Sequence, residues 1–287
     1  MPFSPAYSVP DDRQSYTMHA GPVGCLMIHG FMGSPLSTRP LAAYLRERGI
    51  TVHCPLLPGH GEYPEKIYKI PMEAWIEETE EALAYLRTQC DEIFLMGHSM
   101  GAVLGAHLVE KFGNFKGQIM LAPVYDLPDW RLRFFCFARY FLPYLYPLRF
   151  SKLHDLVYER VREFEPDIDL DDPEVQAKLP KITRVPTSGI DEMRKVMDMG
   201  RELWPQLNLP VLIFQGKLDT AASPENTQKI YDLIPSQEKD LVLFEDAGHE
   251  LMRTFEPVHT QVWSRVRDFI ASRSTLKESI SPKDDTT

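Results

Sequence analysis

Short, largely apolar runs alternate with segments of helical periodicity along most of this chain, and no other feature restricts its fold as strongly. The strand-like runs are residues 24–29, 50–57, 92–96, 117–122, 210–215 and 240–244. Between or after them lie helical patterns at 34–48, 72–87, 102–111, 224–233 and 258–270. In residues 72–87, Met72, Trp75, Ile76, Leu83 and Leu86 recur at helical spacing while acids occupy the other side. Strands that are apolar throughout are buried on both faces, and helical connections between them favour parallel pairing. The expected class is α/β, with a mostly parallel central sheet covered by helices on both faces. Ligands of such sheets bind beyond the carboxyl ends of the strands.

The alternation stops at residues 125–186, where ten of the 26 residues from Tyr125 to Phe150 are aromatic. A mainly helical cap inserted after the fifth strand is expected there. The organisation is therefore residues 1–124 and 187–272 as the two parts of one core, 125–186 as the cap, and 273–287 as a flexible tail. A short edge strand is expected at 16–19. Cap aromatics at helical spacing ordinarily form their own core. Here the run exceeds what a small unit buries, so the surplus is expected to line an apolar pocket over the strand ends. Trp130, Phe134, Phe137, Tyr140, Phe141 and Tyr144 are its candidates.

Gly97-His98-Ser99-Met100-Gly101 follows an apolar strand and precedes a helix. In that context a serine sits on a sharp turn with its oxygen above the sheet, and small residues two positions away relieve crowding. The plain alternative is a serine capping a helix. A serine hydroxyl needs a base, and the base needs a third group to hold its tautomer. Among nine histidines, His249 follows the last strand; Asp219, just beyond the run 210–215, lies between Ser99 and His249 in chain order. Asp246 is the nearest rival acid, while Asp240 and Asp191 sit in structural positions. Negative charge developing on an ester oxygen calls for two backbone N–H donors. Met100 and Phe31 are the candidates, the latter on a loop where Gly30 and Gly33 permit close approach. His29 and His98 are expected to brace the turns on which these groups stand. A plain tight turn is the simpler reading of the glycines.

Other chemistries find less support. GxxxxGK[ST], GxGxxG and HExxH do not occur, and His53 with His60 has no matching third zinc ligand. A net charge of −10 without a basic block argues against nucleic acid. No run approaches a membrane span, so no stable membrane insertion is expected. The N-terminus has no signal-peptide pattern, and a cytoplasmic location is expected. Cys25, Cys54, Cys90 and Cys136 are scattered and read as free thiols, mostly buried.

HGFMGSP (29–35), PLLPGHG (55–61), GHSMGAVLG (97–105), GKLD (216–219) and AGHE (247–250) occur in that order. With these motifs the chain resembles the α/β-hydrolase fold carboxylesterases and monoacylglycerol lipases, notably compact bacterial enzymes with a small helical cap. The resemblance spans roughly residues 22–270. It implies hydrolysis of carboxylic esters through an acyl-serine, without cofactor or metal, on a small-molecule ester with a hydrophobic acyl chain. It places the nucleophile at Ser99, the acid at Asp219, the base at His249 and the oxyanion donors at Phe31 and Met100. Ala102 replaces a glycine common in relatives, and Glu250 stands where they often carry an apolar residue. Thioester hydrolysis, C–C bond hydrolysis and cofactor-free perhydrolysis are alternatives on the same fold. Serine at the elbow disfavours a dehalogenase or epoxide hydrolase, which would carry aspartate there. A binding scaffold would be expected to have lost one of the three residues.

Overall fold

The computed structural model describes residues 9–126, 141–149, 154, 157, 158, 161 and 168–278. Seven strands form one sheet in the order β1-β3-β2-β4-β5-β8-β9. They are β1 (Tyr16–Met18), β2 (Val23–Ile28), β3 (Ile50–Cys54), β4 (Glu92–His98), β5 (Gly117–Leu121), β8 (Val211–Gly216) and β9 (Lys239–Phe244). All neighbours pair in parallel except β1, which closes the edge antiparallel to β3. The expected α/β class and α/β-hydrolase architecture are therefore what the chain adopts.

Every residue of β2, β5 and β8 is buried, as strands covered on both faces require. The helices are α1 (Arg39–Arg46), α2 (Met72–Arg87), α3 (Met100–Phe112), α4 (Pro173–Ile182), α5 (Thr187–Leu203), α6 (Pro224–Leu233) and α7 (His259–Ser272). Trp75, Phe94, Trp204 and Phe214 are fully buried in the core. Each buried side chain of this size contributes about 2–3 kcal/mol by leaving water.

Two expectations need correction. The single helix expected at 34–48 is a 3-10 turn, Pro35–Thr38, followed by α1. Pro40 has no N–H to continue a helical ladder, so a new helix starts around it. Where the insert is described it carries α4 and a short strand pair, β6 (Tyr144–Leu145) antiparallel to β7 (Val185–Pro186). This pair ties residues 144–145 to the C-terminal end of the insert, and Thr187 adds bonds to the carbonyls of Pro143 and Leu142. The expected tail begins as structure: Thr275–Glu278 forms a 3-10 turn, and Leu276 packs on the core. Cys25, Cys54 and Cys90 are free and buried; Cys136 lies outside the described residues. No helix among the described residues is long and apolar enough to cross a membrane.

Candidate active site

The expected chemistry collects at the carboxyl ends of β2, β4, β8 and β9. Ser99 stands between β4 and α3 with φ 54° and ψ −116°, a conformation that costs of order 1–3 kcal/mol for a residue with a side chain. The surrounding bonds hold it there: Ser99 N donates to Leu121 O at 2.8 Å, and Ala102 N donates to Ser99 O at 3.1 Å. The flanking glycines are required by close approach. A Cβ at Gly97 would lie 2.3 Å from Ala102 N, and one at Gly101 would lie 2.1 Å from Ile28 O. Ala102 is itself fully buried without such conflict.

Asp219 and His249 are brought together by stitching of their loops: Lys217 N donates to Phe244 O at 2.8 Å and Leu218 N to Ala247 O at 3.0 Å. His249 Nδ1 lies 2.7 Å from Asp219 Oδ2. Asp219 Oδ1 accepts from Ala221 N and Ala222 N at 2.8 and 2.9 Å. Burial alone would push this carboxyl up. The bond and attraction from His249 and the two N–H groups outweigh it and hold Asp219 below the usual carboxylate range. Asp219 is therefore ionised, and His249 Nδ1–H donates to it. Asp246, the rival acid, is exposed. Asp191 is buried in α5 and paired with Arg194 at 3.0 Å.

His98 donates from Nε2 to the His249 carbonyl at 3.0 Å, and the two rings lie 4.7 Å apart. It thus braces the loop that carries His249. His29 donates from Nδ1 to Gly30 O at 2.9 Å and accepts Leu57 N–H at Nε2 at 3.2 Å. These two bonds fix its tautomer and tie the loop after β2 to the turn after β3. Gly33 N donates to Gly30 O at 3.0 Å, closing a turn around Phe31 and Met32. That bond leaves Phe31 N–H unused by the turn. Met100 N–H begins α3 and has no intrahelical acceptor.

Gly30, Phe31, Gly33, Ser37, His98, Ser99, His249 and Glu250 line one cleft. Glu250, the departure noted in the sequence, thus reaches the rim. The Phe31 ring packs edge-on against His60 and Trp75, at 5.9 and 6.0 Å. Of the cap candidates, Trp130, Phe134, Phe137 and Tyr140 lie outside the described residues. Phe141 is 90% exposed. Tyr144 stacks on Tyr68 at 5.7 Å with Arg184 over its ring, which fastens the insert to the core.

The sequence reading missed Gln215, the last side chain of the apolar run 210–215. Its amide nitrogen lies 3.1 Å from Asp219 Oδ2. A polar residue closing a buried strand was the available signal.

Over 274 residues, 94% of this chain and 99% of its partner, the sequence is 26% identical to a thermostable monoacylglycerol lipase of Bacillus sp. (strain H-257). A carboxylesterase of Bacillus subtilis (strain 168) is 23% identical over 86% of this chain and 94% of its own. Among solved structures, a metagenome-derived lipolytic enzyme of the LipS and LipT pair superposes with a TM-score of 0.76 at 24% identity, covering 92% of this chain and 100% of its own. The serine aminopeptidase S33 pattern matches residues 23–257. That match takes in the loop after β2, the elbow, the acid loop and the histidine loop, and the chain belongs to this serine hydrolase family, Hydrolase_4.

Proposed function

We propose that this protein hydrolyses carboxylic esters through an acyl-Ser99 intermediate, with His249 as base and Asp219 as the acid that orients it. The observation that carries the reading is the 2.7 Å Asp219–His249 bond beside a strained serine elbow opening on the same cleft. The relatives named as monoacylglycerol lipase and carboxylesterase, aligned over most of this chain, support an ester as the substrate.

Ser99 Oγ attacks the carbonyl carbon while its proton passes to His249 Nε2. Asp219 stabilises the imidazolium without taking the proton. The carbonyl electron pair moves onto oxygen, where Phe31 N–H and Met100 N–H stabilise it. Collapse breaks the bond to the alcohol, which leaves with the His249 proton. Water then attacks the acyl-serine by the same route and returns Ser99 to its starting state. Ser99→Ala is expected to remove turnover of p-nitrophenyl and glyceryl esters while the fold persists by circular dichroism. Near-wild-type turnover would end the assignment.

We further propose that residues 125–186 form a cap that selects the acyl chain. The insert leaves at the carboxyl end of β5 and returns through β7 into α5, and water has access to the strand ends unless something covers them. Each methylene buried under it is worth about 0.8 kcal/mol, or about fourfold in kcat/KM. Alanine at Trp130, Phe134, Phe137 or Tyr140 is expected to lower octanoyl ester turnover more than acetyl. Equal losses on both, with a lowered melting temperature, would make these rings the insert's own core.

A further inference from the structure

The carboxylate that faces His249 is held by one more side chain, which belongs to neither the triad nor the oxyanion loop. Gln215 is the penultimate residue of β8, and its side chain is fully buried. A carboxamide taken out of water costs several kcal/mol unless its polar atoms are bonded. Here they are. Gln215 Nε2 lies 3.1 Å from Asp219 Oδ2, 2.9 Å from Gly216 O and 2.9 Å from Ala222 O. Thr227 Oγ1, from α6, donates to Gln215 Oε1 at 2.6 Å. These partners settle which end of the amide is which. Three acceptors surround one end and a hydroxyl donor meets the other, so turning the amide over would set an oxygen against three oxygens.

We propose that Gln215 is a positioning residue for hydrolysis: its carboxamide, anchored by Thr227, fixes the rotation of the Asp219 carboxylate and keeps it ionised toward His249. This rests on the assignment of Asp219 and His249 made above. Oδ1 is held by two backbone N–H groups, while Oδ2 is shared between His249 Nδ1 and Gln215 Nε2. The second donor on Oδ2 lets it meet His249 along one direction. It also makes protonation of the carboxyl harder, because a protonated oxygen would lose an acceptor site. Gln215 acts through Asp219 and is not among the residues lining the cleft at Ser99.

Gln215→Glu tests this with almost no change of shape. It replaces the donor with a carboxylate beside Asp219, and two carboxylates at this distance share a proton. The expected result on a neutral butyrate ester is a fall in kcat of about tenfold to a hundredfold at pH 7, with KM within about twofold. The acid limb of the pH profile moves upward, so activity recovers as pH rises where the wild type is already flat. A kcat equal to wild type, a loss confined to KM, or a loss equal at every pH would each overturn the proposal. If the variant does not fold, Thr227→Val carries the test by releasing the carboxamide. A several-fold lower kcat with the limb shifted the same way supports the proposal, and a wild-type kcat and profile overturns it. Loss of turnover in Asp219→Asn with an unaffected Gln215→Glu sinks this inference alone. Retained turnover in Ser99→Ala sinks the hydrolytic assignment beneath it.

Discussion

Ser99 stands between two walls that both contain histidines, and the walls treat them oppositely. On one side His249 meets an ionised carboxylate at 2.7 Å, and that carboxylate is held by Gln215 and two backbone N–H groups. On the other, His29 and His60 lie 5.2 Å apart among Phe31 and Trp75, with carbonyls as their Nδ1 partners. Burial pushes His60 down to about 4, against the bonds to Pro58 and Leu57 that favour its charged form. Its Nε2 is buried without a hydrogen-bond partner among the described residues. The same side chain therefore meets an ionised carboxylate on one wall and is kept neutral as packing on the other. The difference lies in whether a charge and its donors accompany the ring into the interior.

The largest expected effect breaks the polar wall. Asp219→Asn is expected to lower kcat by up to about four orders of magnitude, because His249 loses the acceptor that sets its tautomer. Asp246→Asn, on an exposed side chain, is expected to stay within a few fold. Single-turnover kinetics on both variants decides between them, and a reversed order would move the acid to Asp246.

A pH titration of stability sharpens the contrast at the aromatic wall. The folded-state value of His60, about 4, lies below its ordinary 6.5. Between those values the unfolded chain binds more protons, so stability is full above about 6.5 and declines as pH falls toward 4. Asp219 loses its contribution in the same direction but over a lower window: it is present above its ordinary 3.8 and fades as pH drops through its depressed value. His60→Phe is expected to flatten the decline between pH 6.5 and 4 by up to about 3 kcal/mol. Trp75 Nε1 still bonds Pro58 O at 3.1 Å, so the variant leaves that carbonyl a partner. Urea titrations at pH 7, 5.5 and 4.5 read the slope, and an unchanged slope would mean that His60 is not neutral in the fold.

The smallest effect tests the outer buttress of the same wall. Arg184 bonds Glu65 at 2.7 Å, and its guanidinium lies over Tyr144, joining the insert to the segment that follows His60. The pair is partly exposed, so solvent screens it, and Arg184→Met is expected to cost about 0.5–1 kcal/mol. Thermal unfolding measures this. A much larger cost, or a loss of turnover comparable to Asp219→Asn, would show that the aromatic wall depends on the insert as strongly as the polar wall depends on Gln215.

Much of this arrangement is written locally in the chain. The largely apolar runs dictate buried strands, because no other element of that length can hide both faces. Gly97 and Gly101 around Ser99 announce the elbow, since a Cβ at either position would strike backbone. Asp219 and His249 are recognisable because each follows a strand on the face where such sheets bind ligands. The β6–β7 pair gave no such signal: two residues per strand, 40 apart in sequence, are too short for any period to appear.

What the chain could not reveal by itself depends on partners brought together from a distance. Gln215 reads as the polar end of an apolar run until Thr227 and Asp219 close around its amide. His98 was legible as part of a turn, but its bond to the carbonyl of His249 spans 151 residues. His249 and His60 are the same residue type in similar local sequence, each preceded by glycine. Only the tertiary structure set a carboxylate against one ring and aromatic rings against the other. Hydrophobic periodicity is a property of neighbours along the chain, whereas protonation is decided by charge and burial in space.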